Sequence, residues 1–309
     1  MAKSQSTKTL SASGKEEDGP LLSPALLAQL ERMELVSRKI FRGRMKGERR
    51  SKRKGQSVEF ADFRNYVPGD DLRFIDWNMY ARLDKLFLKL FLEEEDLHFY
   101  ALVDSSLSMT FGSPSKFRYA KQLAGALGYI GLCRADRVKI EALDGSKVNK
   151  APVLRGRTSM WRMVEHLEAM KAGSTATLNE AVRSFCLRNT GKGILVIITD
   201  LMDKTGYESA LRYLTAQNMD VYLIHVLSQE EIDPEITGDL RLVDCEDSDI
   251  AEISVSQRLI DRYRQTLASF IEKARDFASR RGIVYMMTST ERPVDRLVSR
   301  YLRQRGLVR

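Results

Sequence analysis

Residues 98–109 read HFYALVDSSLSM. A run that is apolar apart from His98 ends abruptly in Asp104, and Ser105, Ser106 and Ser108 follow within four positions. A near-continuous apolar run of this length marks a strand covered on both faces rather than one with a wet side. RVKIEAL (137–143), ILVIITD (194–200), DVYLIHVL (220–227) and IVYMMTS (283–289) repeat the pattern. Helical patterns lie between and around them, over 115–133, 158–171, 177–189, 204–217, 256–281 and 293–305. Such alternation predicts an α/β fold, a mostly parallel central sheet with helices on both faces. KVNKAPVL (147–154) adds an expected antiparallel edge strand, and LRLVDCEDSDIAEISV (240–255) an inserted hairpin.

In an open α/β sheet, ligands bind where loops converge beyond the carboxyl ends of the strands. Asp104 and Asp200 both end a predicted strand, so two carboxylates share one rim. Asp104, Ser106 and Ser108 have the spacing D-x-S-x-S, and a third loop, AGSTATLNEAV (172–182), brings Thr175 and Thr177 ahead of a helix. An all-oxygen donor set suits a hard cation, magnesium or manganese, and not zinc or copper. If neutral hydroxyls bind the ion directly and the carboxylates act through water, the ion keeps net positive charge and an open position for a carboxylate from another molecule. The simpler alternative is that Asp104 and the serines only cap the next helix. Thr177-x-x-Glu180 is a capping-box pattern, which occupies Thr177 and leaves Thr175 as the freer hydroxyl.

D-x-S-x-S with a loop threonine and a later strand-end aspartate resembles the metal-ion-dependent adhesion site of von Willebrand factor A domains. The resemblance implies a fold of that type and the ligand set Asp104, Ser106, Ser108, Thr175 and Asp200. In collagen-binding integrin inserted domains the first threonine of a threonine-x-threonine-hydrophobic loop meets the metal, as Thr175 would here. The threonine-x-leucine version of bacterial A domains would instead put Ala176 at the metal.

A longer pattern, EFADFRNYVPGDDLRFIDWNMYAR (59–82), carries Arg64, Tyr66, Gly69, Asp70, Asp71, Arg73, Asp76, Trp77, Ala81 and Arg82 in order ahead of LVDSSLSM. It is similar to the bacterial A-domain family catalogued as domain of unknown function fifty-eight. That family is commonly encoded beside MoxR-type AAA+ ATPases, which implies a protein partner of that type and an adaptor or chaperone-accessory role. Taken by themselves, the dense opposite charges of the signature predict an internal salt-bridge network that docks this segment on the A domain, with Phe74 and Trp77 as its anchors; the alternative is that Arg64 or Arg82 faces a partner.

Length, charge and composition bound the rest. The 309 residues and an apolar fraction of 43% suffice for a sizeable core. Residues 1–20 are polar and predict a disordered tail, 21–96 a basic helix followed by the signature segment, and 97–309 the A domain. SPALLAQLERMELVSRKIF (23–41) opens with a Ser-Pro start signal for that helix. The segment 38–54 holds ten basic residues and one acid, a net +9 against +8 for the whole chain, so the basicity is one local patch. Binding of nucleic acid or an acidic surface through this patch is the alternative function. The expected location is the cytoplasm, with no secretion signal and no membrane span. Cys133, Cys186 and Cys245 lack C-x-x-C spacing and read as reduced core thiols. The sequence holds no phosphate loop and no G-x-S-x-G elbow, and His98, His166 and His225 lack nucleophilic partners, so no enzyme activity is expected.

Overall fold

The computed structural model describes residues 19–37, 59–92, 97–145, 151–189, 192–243 and 250–309. The expectations for the first 18 residues, for the basic segment 38–54 and for Cys245 lie outside them. In chain order the elements are α1 (Pro24–Leu30), β1 (Glu59–Asn65), α2 (Trp77–Leu83), β2 (Phe87–Leu92), β3 (His98–Asp104), α3 (Lys116–Cys133), β4 (Arg137–Leu143), α4 (Met160–Ala169) and α5 (Leu178–Arg188). After these come β5 (Gly193–Thr199), α6 (Glu208–Thr215), β6 (Met219–Leu227), β7 (Gly238–Val243), β8 (Ile250–Val255), α7 (Gln257–Ser279) and β9 (Val284–Ser289). The chain divides into two compact units, residues 1–41 with 97–309, and residues 42–96.

The larger unit is a five-stranded, all-parallel sheet in the order β4-β3-β5-β6-β9. Each predicted apolar run is one of its strands. Side chains alternate across the sheet. Phe99, Ala101 and Val103 pack on one face with Leu26, Leu123, Leu127, Leu167 and Leu297, while Tyr100 and Leu102 pack on the other with Val182, Phe185, Leu211 and Ala274. This is a parallel α/β sheet with a buried apolar core and helices on each face. The expected antiparallel edge strand is smaller than predicted: among the described residues it is one bridge, Val138 to Leu154, closed by two 2.8 Å backbone hydrogen bonds. The 240–255 hairpin forms as β7 and β8, paired antiparallel from Gly238–Val255 to Val243–Ile250.

The basic helix expected over 23–41 stops at Leu30. Beyond it the chain turns extended, because Glu34 exchanges backbone hydrogen bonds with Arg309, the Val36 amide donates to the Leu307 carbonyl, and Leu35 bridges to Val308. Leu22, Leu26, Leu30 and Leu35 are buried in the core of the larger unit, so residues 21–37 belong with it and not with the signature segment. Close packing beneath α1 depends on glycine: a Cβ on Gly125 would sit 2.9 Å from Leu167 Cδ1, and one on Gly128 2.8 Å from Met163 Sδ.

The smaller unit is a hairpin, β1 antiparallel to β2, with α2 in its connection. The signature charges pair within it. Arg64 grips Asp70 with two hydrogen bonds of 2.8 and 2.7 Å, Arg73 clasps Asp71 at 2.6 Å, and Asp76 caps α2 while meeting Lys89 at 3.1 Å. The Lys89 ammonium holds the Asp76 carboxyl below the usual carboxylate range. Gly69 takes φ +106° at the turn, a conformation that favours glycine. Trp77 and Phe74 are not the buried anchors expected: Trp77, which opens α2, is 61% exposed, and Phe74, which ends the single turn Leu72–Phe74 ahead of it, is 44% exposed.

Candidate metal site at the sheet rim

Numbering only the sheet strands along the chain, the order is 2-1-3-4-5, so the connections reverse between β3 and β5. Binding crevices open at the carboxyl ends of strands on either side of such a reversal. Asp104 ends β3, and Asp200 directly follows β5. Both are buried, at 8% and 1% exposure, which is costly for carboxylates without compensation.

Each of the three serines has a distinct place. Ser105 is buried and structural: its hydroxyl donates to the Leu143 carbonyl (3.1 Å), and its own carbonyl accepts from the Gly173 and Ser174 amides at 2.8 and 2.9 Å. That pair of bonds, with a parallel bridge between Ser106 and Ser174, lays the threonine loop beside the first one. Ser106 and Ser108 turn their hydroxyls toward each other at 2.9 Å. The Asp104 carboxylate is held from two sides, by the Ser106 amide at 3.0 Å and the Thr199 hydroxyl at 2.6 Å.

Asp104, Ser106, Ser108 and Asp200 are thus gathered at the crevice. Thr175 follows the Ser174 bridge but its side chain is exposed and makes no hydrogen bond to these four among the described residues. Thr177 caps α5, its hydroxyl accepting from the Glu180 amide while Glu180 accepts from the Thr177 amide, as its spacing predicts. After Asp200 the chain turns through Leu201 at φ +59°, a left-handed conformation uncommon for leucine, which lets the Met202 amide reach Asp200 Oδ1 at 3.1 Å.

Three residues of the crevice were not singled out by sequence reasoning. Thr199 is the orienting hydroxyl beneath Asp104. Lys116, 0% exposed, donates to Asp200 Oδ2 at 2.7 Å and to Glu231 at 2.5 Å. Glu231 sits in a one-turn helix, Gln229–Ile232, and its other oxygen accepts from the Ser228 amide in a second capping box. Two signals were present: S-x-x-E at 228–231, and a lysine opening a helix, where the dipole disfavours a cation and a partner must be nearby.

The electrostatics match the geometry. Burial and the charge of Asp200 push the Asp104 carboxyl above its usual range, so negative charge is incompletely balanced beside it. For Lys116, burial works toward neutrality, but Asp200 and Glu231 outweigh it and hold the ammonium charged. No group of three or more His, Cys, Asp or Glu able to hold a metal occurs among the described residues, so a cation here needs the serine hydroxyls as donors. That all-oxygen set fits magnesium or manganese. The histidines serve packing: His98 and His225 face the hydroxyls of Tyr100 and Tyr285, at 3.2 and 2.7 Å, and His166 faces the Ile140 carbonyl at 3.0 Å. No described helix is long and apolar enough to cross a membrane.

Comparison with known proteins agrees with the signature. The chain is 26% identical over 256 residues to "Uncharacterized protein Rv1480" of Mycobacterium tuberculosis, spanning 81% of this chain and 80% of that protein. Among solved structures it is similar to the conserved hypothetical protein BatB from Bacteroides thetaiotaomicron, at 15% identity and a TM-score of 0.41, over 67% of this chain and 98% of that one. A von Willebrand factor type A structure from Catenulispora acidiphila matches at 11% identity and a TM-score of 0.40, over 71% of this chain and 43% of that one. The family described as "Protein of unknown function DUF58" matches residues 62–274, a span that crosses both units, and the chain belongs to that family.

Proposed function

We propose that this protein is a non-enzymatic interaction module that binds an acidic side chain of a partner through a magnesium-dependent adhesion-type site, as adaptor or accessory of a MoxR-type AAA+ ATPase. One observation carries the reading: two buried strand-end carboxylates flank the reversal of strand order, with the Ser106 and Ser108 hydroxyls 2.9 Å apart on the loop that follows Asp104. Ser106 and Ser108 would hold magnesium or manganese directly, Asp104 and Asp200 would support it, and Thr175 would complete the shell from the neighbouring loop. The bound ion supplies an open position for a partner carboxylate. The chain's own residues do the positioning. Thr199 fixes the Asp104 carboxylate, and the Ser105 carbonyl keeps the threonine loop in register.

The test is association with a MoxR-type ATPase measured in magnesium and in chelator, for the native chain and for Asp104→Ala and Ser106→Ala. The expected result is binding in magnesium that chelator removes and that both variants lose while their circular dichroism is unchanged. Equal binding in chelator contradicts the reading.

A further inference from the structure

We propose that Lys116 is a built-in competitor for the divalent cation, an ammonium that occupies the carboxylate through which the ion would be supported and thereby sets how tightly the rim takes metal. The inference rests on the adhesion-site reading and extends it to the control of affinity. Lys116 is fully buried, and its ammonium is shared between Asp200 (2.7 Å) and Glu231 (2.5 Å). A divalent ion drawn to the same carboxylate must approach this ammonium in a site with little water to screen the repulsion.

The lysine's backbone is anchored where its helix begins. Its backbone amide donates to the Phe111 carbonyl at 3.1 Å, and Ser115 caps the helix it opens. Glu231 is held as firmly: its carboxylate closes the capping box with Ser228, and its carbonyl accepts from Tyr263 of α7 at 2.6 Å. The balance between the two carboxylates therefore decides how much of the ammonium Asp200 keeps. Removing the lysine frees Asp200 for the ion. Neutralising Glu231 leaves the ammonium to Asp200 alone and closes the rim further.

The experiment is a calorimetric titration of manganese into the chelator-stripped full chain, comparing the native protein with Lys116→Met and Glu231→Gln. Lys121→Met and Glu230→Gln serve as controls that remove the same charges nearby without touching the pair. The proposal expects Lys116→Met to tighten manganese binding more than tenfold and Glu231→Gln to weaken it more than threefold, with both controls within twofold of native. The Glu231→Gln arm decides the matter if Lys116→Met fails to fold. Saturable native binding that neither variant shifts beyond its control overturns this inference and leaves the adhesion-site reading standing. No saturable binding in the native chain or in folded Lys116→Met overturns both.

Discussion

Asp104 and Asp200 are legible as rim carboxylates because each terminates an unmistakable apolar run, but their partners are not: Thr199, Lys116 and Glu231 come from three separate loops and elements, and only folding brings them together. A lysine in S-P-S-K-F reads as a solvated charge until a tertiary contact buries it. Thr175 lies in the loop that the Ser105 carbonyl holds beside the rim, and its side chain is exposed there. Beside the rim, His225 has a measurable consequence. Burial lowers its pKa from 6.5 to about 4, so the folded chain keeps the ring neutral where the unfolded chain would protonate it. Stability is therefore full above the unfolded value and falls as pH drops through the window down to about 4, by up to about 3 kcal/mol. Urea denaturation of native protein and His225→Gln between neutral pH and pH 4 should show a flatter acid limb in the variant. Parallel limbs contradict the assignment.

At the scale of elements, the strands and the main helices follow from the period of their apolar residues, with helix ends displaced by a few residues. Where the pattern misled, a competing partner won. The helix begun at Pro24 gives way to extended pairing because Glu34 and Val36 find backbone partners in Leu307 and Arg309, which no local signal announces. Phe74 and Trp77 read as anchors because large aromatic side chains usually bury, yet both are largely open. In α3 the glycines at 125, 128 and 131 lower helix propensity and look unfavourable in sequence. Their reason is tertiary: α4 and β4 lie against that face so closely that a Cβ on Gly128 would sit 2.8 Å from Met163 Sδ and 3.1 Å from Ile140 Cδ1. Gly128→Val should therefore cost about 1–3 kcal/mol by overpacking, read as a lowered midpoint in urea, despite the better intrinsic propensity of valine. An unchanged or raised midpoint would show that α3 has room there.

For the whole molecule, the parallel sheet was readable from strand and helix alternation alone, whereas the strand order was not, since the apolar runs do not say which neighbours pair. That order gives the rim its meaning, because it puts the reversal between β3 and β5, the strands that deliver Asp104 and Asp200. The division into two units likewise escapes composition: the segment 21–96 looks continuous in sequence, but residues 21–37 complete the larger core, while the described residues 59–92 form a separate hairpin in which Arg64, Arg73 and Lys89 pair with Asp70, Asp71 and Asp76. The family match spans residues 62–274, so it takes in both the signature and the rim. On the proposed function, the rim takes a hard divalent cation through the Ser106 and Ser108 hydroxyls. A crystal grown with manganese, recorded at the manganese absorption edge, tests it directly. The account predicts one anomalous peak beside both hydroxyls at roughly 2.0–2.3 Å, with Asp104 supporting it, and no peak in Asp104→Ala. A native crystal without a peak at this rim, or with its manganese bound elsewhere, would contradict it.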